Sequence, residues 1–297
     1  MKTALILGGT QFVGKRVVQL LVEQGVDVTI ATRGKAADDF GQTVHRLTLD
    51  RTDGKSVAAA LTGKKYDVVF DHTCYSPVEV REVVEALGEG IGKYVFISSV
   101  AVYDEGDHLT EDDFDPRQFD IHYKSREEYA GFSGYQEAKR ASEAVLYQQA
   151  PCSVVTVRFP FIIGADDYTE RFAFHVRAVL ENQPVGSVNP GARFGFIDSK
   201  DAAEFLVAVA KSEFFGPINA GSDGSYSIRE LLDKIAGITG HSYSISDEAT
   251  TNRSPYDLGG SLAQTTAFAA EKGFRFSDVH ELVEQQIREL ATAESSN

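Results

Sequence analysis

Runs of consecutive apolar residues, each about the length of a strand, alternate along the chain with stretches whose apolar positions recur every three or four residues. Strands are expected near Thr3–Leu7, Val26–Ala31, Val44–Leu49, Asp67–Phe70, Tyr94–Ser98 and Ser153–Val157. These runs are apolar on successive rather than alternate residues, which fits strands covered on both faces. Helical periodicity covers Val13–Gln24, Lys55–Leu61, Pro77–Leu87 and a longer span from Gly134 to Gln149. Strand and helix in alternation, joined by short connections, predict an α/β chain built on a doubly wound parallel sheet.

After Val157 the pattern loosens. A helix is expected near Glu170–Glu181, a strand at "FGFID" and another helix from Asp201. In "INAGSDGSYSIRELLDKIAGITG" a strand and a glycine turn lead to a helix capped at Ser227, and Glu230 stands three residues on to complete a capping box. A last helix is expected over Asp278–Leu290, with "TAESSN" as a frayed end. The division is residues 1–157 as one region and 158–297 as a smaller α/β region, with segments such as 194–212 free to return to the first. No linker rich in proline or serine separates them, so the second region is expected to pack on the first and leave a cleft.

Composition narrows the classes of partner. The chain has 297 residues and a net charge of −15, a field that repels nucleic acid and anionic membranes and counts against either as a partner. No apolar run approaches a membrane span or the core of a signal peptide, so the cytoplasm is the expected compartment. The two cysteines, Cys74 and Cys152, form no metal or redox motif. The seven histidines make no ligand pair, and the acidic "DEGDHLTEDDFDP" lacks the order of an EF-hand loop, so no metal is expected. That acidic stretch reads as a solvated insertion.

Chemistry begins at "LGGTQFVG". A strand running into clustered glycines and then a helix offers free N–H groups and a helix dipole to a phosphate. Gly8 permits the tight turn and Gly14 close packing of the helix on the sheet, while Gln11 stands where a G-x-x-G-x-x-G pattern has its middle glycine. Gly8, Thr10, Gln11, Phe12, Val13 and Gly14 are the expected phosphate loop of a dinucleotide site. The second strand ends in Thr32 and Arg33, with no acid before Asp38 to bind a ribose diol. Arg33 suits a 2′-phosphate, so NADP is preferred to NAD. Asp50 after the third strand either accepts from an adenine amine or caps a turn. Arg51 and Thr73 complete the expected cofactor lining, and His72 after the fourth strand is either a cofactor neighbour or a structural histidine.

Tyr135 and Lys139, four apart in "GYQEAKR", share one face of the long helix. An ammonium beside a phenol favours the phenolate and makes tyrosine a usable acid and base. Upstream, "YVFISSVAVYD" ends a strand in two serines at the edge of the sheet where ligands of open α/β folds bind.

The ordered set "GGTQFVG", "FISSVAVY", "YQEAK", "RFPFIIG", "FIDSKDAAEFL" and "INAGSDGSYSIREL" resembles the extended short-chain dehydrogenase/reductase family, which includes NAD(P)-dependent nucleotide-sugar epimerases and dehydratases. The resemblance implies a Rossmann-type fold with a smaller C-terminal substrate-binding region. It makes Ser99 the catalytic hydroxyl, Tyr135 the acid and base, and Lys139 the residue that tunes the tyrosine and binds the nicotinamide ribose. The implied substrate is a small molecule with a sugar-like carbinol or ketone, and a homodimer is common in the family. Where well-studied epimerases carry a phosphate-binding arginine, this chain has Phe194, with Arg193 one place off. Arg158, Arg171 and Arg253 are the other basic candidates. The "GGT-x-F-[IV]-G" loop resembles an atypical branch typified by chloroplast stem-loop RNA-binding proteins. The alternative is therefore a cofactor-binding regulator or RNA binder without turnover, against which the intact Ser99, Tyr135 and Lys139 count.

Overall fold

The computed structural model describes residues 1–247 and 252–294. Its largest sheet has seven strands: β1 (Thr3–Leu7), β2 (Asp27–Thr32), β3 (His45–Thr48), β4 (Tyr66–Asp71), β5 (Ile91–Ser99), β6 (Ser153–Phe159) and β7 (Gly216–Asn219). All pairs are parallel, in the order β7-β6-β5-β4-β1-β2-β3. The six strands expected of the first half are all present. The seventh is the strand that opens "INAGSDG", added beside β6.

Nine helices are described: α1 (Phe12–Glu23), α2 (Gly54–Leu61), α3 (Pro77–Leu87), α4 (Gly131–Gln149), α5 (Arg171–Leu180), α6 (Ser199–Lys211), α7 (Ile228–Thr239), α8 (Ala267–Glu271) and α9 (Val279–Glu294). Leu5, Leu7, Val69, Tyr94 and Phe96 of the sheet pack with Val57 and Leu61 of α2, Val80 and Val83 of α3, and Val145 of α4 in one buried cluster. Burying each such side chain is worth about 1.5–3 kcal/mol, which is why these runs stay apolar on consecutive residues. After β3 the chain returns across β1 to lay β4 on its other side. Connections leave the carboxyl ends of β1 and β4 in opposite directions, so a ligand crevice is expected there.

The chain divides into two compact units, residues 1–102, 111–159 and 202–219 in one, and residues 103–110, 160–201 and 220–297 in the other. In the second unit, α5, α7 and α9 contribute Val176, Leu232 and Val283 to a separate core. Phe161, Phe194, Phe196 and Tyr256 form an aromatic cluster there, with Tyr256 stacked on His175 at 4.7 Å. The expected capping box is present: Ser227 N–H donates to Glu230 at 2.8 Å and Glu230 N–H to the Ser227 hydroxyl at 3.2 Å.

Two expectations are modified. The acidic stretch after β5 is exposed at most of its charged residues, as expected of a solvated insertion, but it is fastened at several points. Its Gly106–Leu109 forms a strand in the second unit's sheet beside Leu262–Gln264, while Glu111 onward is fastened within the first unit. There the fully buried Arg158 donates to the carbonyls of Glu111 and Phe114, both at 3.0 Å. Gln148 holds the carbonyls of Pro116 and Phe119, and the Glu111 carboxylate accepts from Asn219 N–H at 2.7 Å. Burial in this setting pushes the Glu111 carboxyl pKa up. At the other end of the chain, α9 runs on to Glu294, which pairs with Arg177, instead of fraying after Leu290. Residues 295–297 of the expected tail lie outside the described residues.

Candidate cofactor and catalytic site

The glycine loop solves its geometry differently from its sequence spacing. Gly8 and Gly9 hold φ of 103° and 93°, a region that favours glycine. A Cβ on Gly14 would lie 3.0 Å from the Gly9 Cα, so helix and loop approach as closely as backbone allows. Gln11 is the N-cap of α1 in extended backbone, φ −142° and ψ 155°, where any residue is at ease. The left-handed turn falls instead on Phe12, at φ 48°. No glycine is therefore needed at position 11.

A cavity of about 310 Å³ opens at the switch point. Gly8, Thr10 and Gln11 border it after β1, Arg33 and Lys35 after β2, Asp50 and Thr52 after β3, and Thr73 and Tyr75 after β4. Arg51 and Arg126 complete its charged lining, giving four cations against the single carboxylate of Asp50. The two acids that follow Arg33 are engaged elsewhere: Asp38 is paired with Arg46 and Asp39 with Lys15. Asp50 caps its own turn, accepting from Thr52 N–H at 3.0 Å and from the Thr52 hydroxyl at 2.7 Å. These hydrogen bonds, the hydroxyl's first, lower its pKa.

Arg51 lines this cavity with its guanidinium turned inward. Nη2 donates to Asp71 Oδ2 at 2.7 Å while Nη1 bonds Oδ1, and Tyr94 OH donates to Asp71 at 2.6 Å. Burial opposes the charges, but each partner's field outweighs it, holding Arg51 well above and Asp71 below its usual pKa. Phe12, Val13 and Gly14 form the first turn of α1 and do not border the cavity. His72 packs against the loop, 3.6 Å from where a Gly14 Cβ would be, and burial lowers its pKa to about 4.

The serine pair is divided by the alternation of β5. Ser98 is buried and donates to Glu143, which is ion-paired with Arg158. Ser99 ends the strand half-exposed, its hydroxyl accepting from Ala101 N–H at 3.2 Å. Lys139 is buried on α4 and donates to the carbonyls of Ile97 at 2.9 Å and Cys74 at 3.1 Å. Its ammonium lies 5.3 Å from the ring centre of Tyr75, whose ring is 6.3 Å from that of Tyr135.

The other basic candidates are committed elsewhere. Arg158 is internal, as described. Arg171 stacks 5.2 Å over Phe161, Arg253 pairs with Asp257, and Arg193 pairs with Glu230. Phe194 is a core residue of the second unit. Sequence reasoning missed Lys35, Ala36, Tyr75 and Arg126. The first two follow Arg33 and were legible as an extension of that loop. Tyr75 and Arg126 had no local signal, because only the chain path brings residue 126 to the end of β4.

The family model of the NAD dependent epimerase/dehydratase family matches residues 4–221. Chloroplast stem-loop binding protein of 41 kDa b from Arabidopsis thaliana is 29% identical over 231 residues, 71% of this chain. The chain spans 56% of that relative's length. A UDP-glucose 4-epimerase from Thermotoga maritima, solved with UDP-glucose, matches with a TM-score of 0.76 at 15% identity, over 99% of this chain and 100% of its own. A Thermus thermophilus UDP-glucose 4-epimerase, solved with NAD, matches with a TM-score of 0.73 at 19% identity, over 97% and 98%. At these identities the structural likenesses show the fold. Among the described residues no helix is long and apolar enough to cross a membrane.

Proposed function

The chain belongs to the NAD dependent epimerase/dehydratase family, and from that premise we propose that it is an enzyme that binds NADP in preference to NAD at the switch-point cavity and acts on a sugar-like carbinol or ketone. The observation that carries this reading is electrostatic. In a chain of net charge −15, the cavity at the end of β1 and β4 is bordered by Arg33, Lys35, Arg51 and Arg126 with Asp50. Although Arg51 and Arg126 are paired with Asp71 and Glu79, Arg33 and Lys35 stand exposed beside it. Such a lining suits an anionic ligand. The glycine loop supports it, since a Cβ on Gly8 would crowd Thr73 at 2.9 Å and fill the cradle. Arg33 and Lys35 beyond β2, with Asp38 and Asp39 already paired, favour a 2′-phosphate over a bare ribose diol.

The dinucleotide, when bound, supplies hydride exchange at its nicotinamide. Tyr135 takes or returns the proton of the substrate hydroxyl at its phenolic oxygen. Lys139 sets its charge near that ring, and its fixed hydrogen bonds to two carbonyls keep it in place. Ser99 steadies the substrate oxygen. Phe194 in the core and Arg193 paired to Glu230 give no support to reading a nucleotide diphosphate on the substrate at that strand.

Titration calorimetry with NADP and NAD tests the reading. NADP is expected to bind more tightly, and a protein that bound neither dinucleotide would overturn it. The Arabidopsis relative's name raises stem-loop RNA as a second ligand class. Net charge −15 opposes it, and filter binding at physiological salt decides.

A further inference from the structure

Arg126 stands in the segment between β5 and α4, on a short 3-10 turn, Arg126–Glu128, closed by a Ser125–Glu128 capping box. Its guanidinium is held along one edge. Nε and Nη2 donate to the two oxygens of Glu79 at 2.6 and 2.8 Å, and Nη2 also donates to the carbonyl of Thr73 at 2.9 Å. The group lies 4.8 Å from the ring centre of Tyr75. Nη1 has no hydrogen-bond partner among the described residues, the side chain is 38% exposed, and the residue borders the cavity. A planar fork fixed by three hydrogen bonds, with both N–H groups of Nη1 unspent, is already arranged for an oxyanion.

The charges around it point the same way. Asp71 is paired with Arg51, and Glu79 with both Arg51 and Arg126. Cys74 adds no negative charge, since burial pushes its thiol pKa up to about 11. The Arg126 guanidinium therefore keeps a solvent-accessible edge at the cavity, beside acids that are already paired.

We propose that Arg126 is a phosphate-binding residue of the dinucleotide site, offering Nη1 to the ligand's diphosphate. The inference rests on the dinucleotide reading of the cavity. It also explains why the segment after β5 is fastened by Arg158 and Gln148, since a fixed segment delivers a preorganised guanidinium where a mobile cover would not.

The chain has no tryptophan, so titration calorimetry is the suitable measurement. Wild type, Arg126→Ala and Arg126→Lys would each be titrated with ADP-ribose, adenosine 2′-monophosphate and adenosine. Arg126→Ala is expected to weaken ADP-ribose about tenfold, the loss of one charge-assisted hydrogen bond. Adenosine and the 2′-monophosphate should change by less than about twofold, which also shows the variant to be folded. Arg126→Lys, keeping the charge, should recover part of the loss. Unchanged ADP-ribose binding in Arg126→Ala, an equal loss for adenosine, a loss confined to the 2′-monophosphate, or a lysine variant no better than alanine would each overturn the proposal. A wild type that binds ADP-ribose while Arg126→Ala binds it equally removes Arg126 alone. A wild type that binds neither ADP-ribose nor a dinucleotide removes the cavity reading with it.

Discussion

The Lys139 ammonium lies 5.9 Å from the centre of the Tyr135 ring, and its hydrogen bonds go to the carbonyl oxygens of Cys74 and Ile97, not to a carboxylate. Among the described residues it has no ion pair, so its charge is not answered by a direct counter-ion. Tyr135→Phe is expected to lower turnover by about a hundredfold or more, the usual worth of a positioned acid and base. Cofactor affinity should stay within about twofold. Lys139→Met is expected to lower turnover as well, because it removes the cation beside the Tyr135 ring. Steady-state rates, with calorimetry for binding, check both.

Arg33 is exposed at the end of β2 beside Lys35, and both border the cavity. If it answers a 2′-phosphate, Arg33→Ala should weaken NADP about tenfold and leave NAD nearly unchanged. The ratio of the two dissociation constants is the measurement. An equal loss for both would mean that Arg33 does not read the 2′ position.

Asp71 holds the buried Arg51 and accepts from Tyr94. Asp71→Asn leaves a guanidinium in the interior without its nearest counter-charge, and a loss of about 3–5 kcal/mol in unfolding free energy is expected. Tyr94→Phe removes one hydrogen bond and should cost about 1 kcal/mol. Urea unfolding of the two variants compares them directly. Because the fold lowers the pKa of Asp71, its stabilising contribution is present above the unfolded carboxylate range and is lost as pH falls through the lowered value.

His175 is fully buried between the Arg171 carbonyl at 2.9 Å and the Ser254 hydroxyl at 2.7 Å. Burial draws its pKa down to about 4 from an ordinary 6.5. Between those values the unfolded chain binds a proton that the fold refuses. Stability is therefore whole above pH 6.5 and falls toward pH 4, by about 1.4 kcal/mol per pH unit for this group. His72, drawn down the same way, adds a contribution of the same sign. Unfolding measured from pH 5 to 7 should show the slope, and His175→Asn should reduce it without abolishing it.

By itself the sequence determined the alternation of strand and helix, the parallel character of the sheet, the glycine loop and the Tyr135–Lys139 pair. Each of these is written in local terms: consecutive apolar residues, a period near 3.6, a cap or a four-residue spacing. The capping box at Ser227 was legible for the same reason. What tertiary structure alone decided are the pairings between distant residues. Ser98 and Ser99 look alike in sequence, yet β5 turns one toward the buried Glu143 and leaves the other half-exposed at the strand end. Arg158 reads as a candidate phosphate ligand until Glu143 and two carbonyls enclose it. Gln11 reads as a missing glycine until Phe12 takes the left-handed conformation in its place. Arg126 carries no local signal at all, and only Glu79, 47 residues away in sequence, holds it at the cavity. Local patterns specify elements because backbone preferences act within a few residues. The charge a side chain finally meets depends on which segments the sheet order brings together.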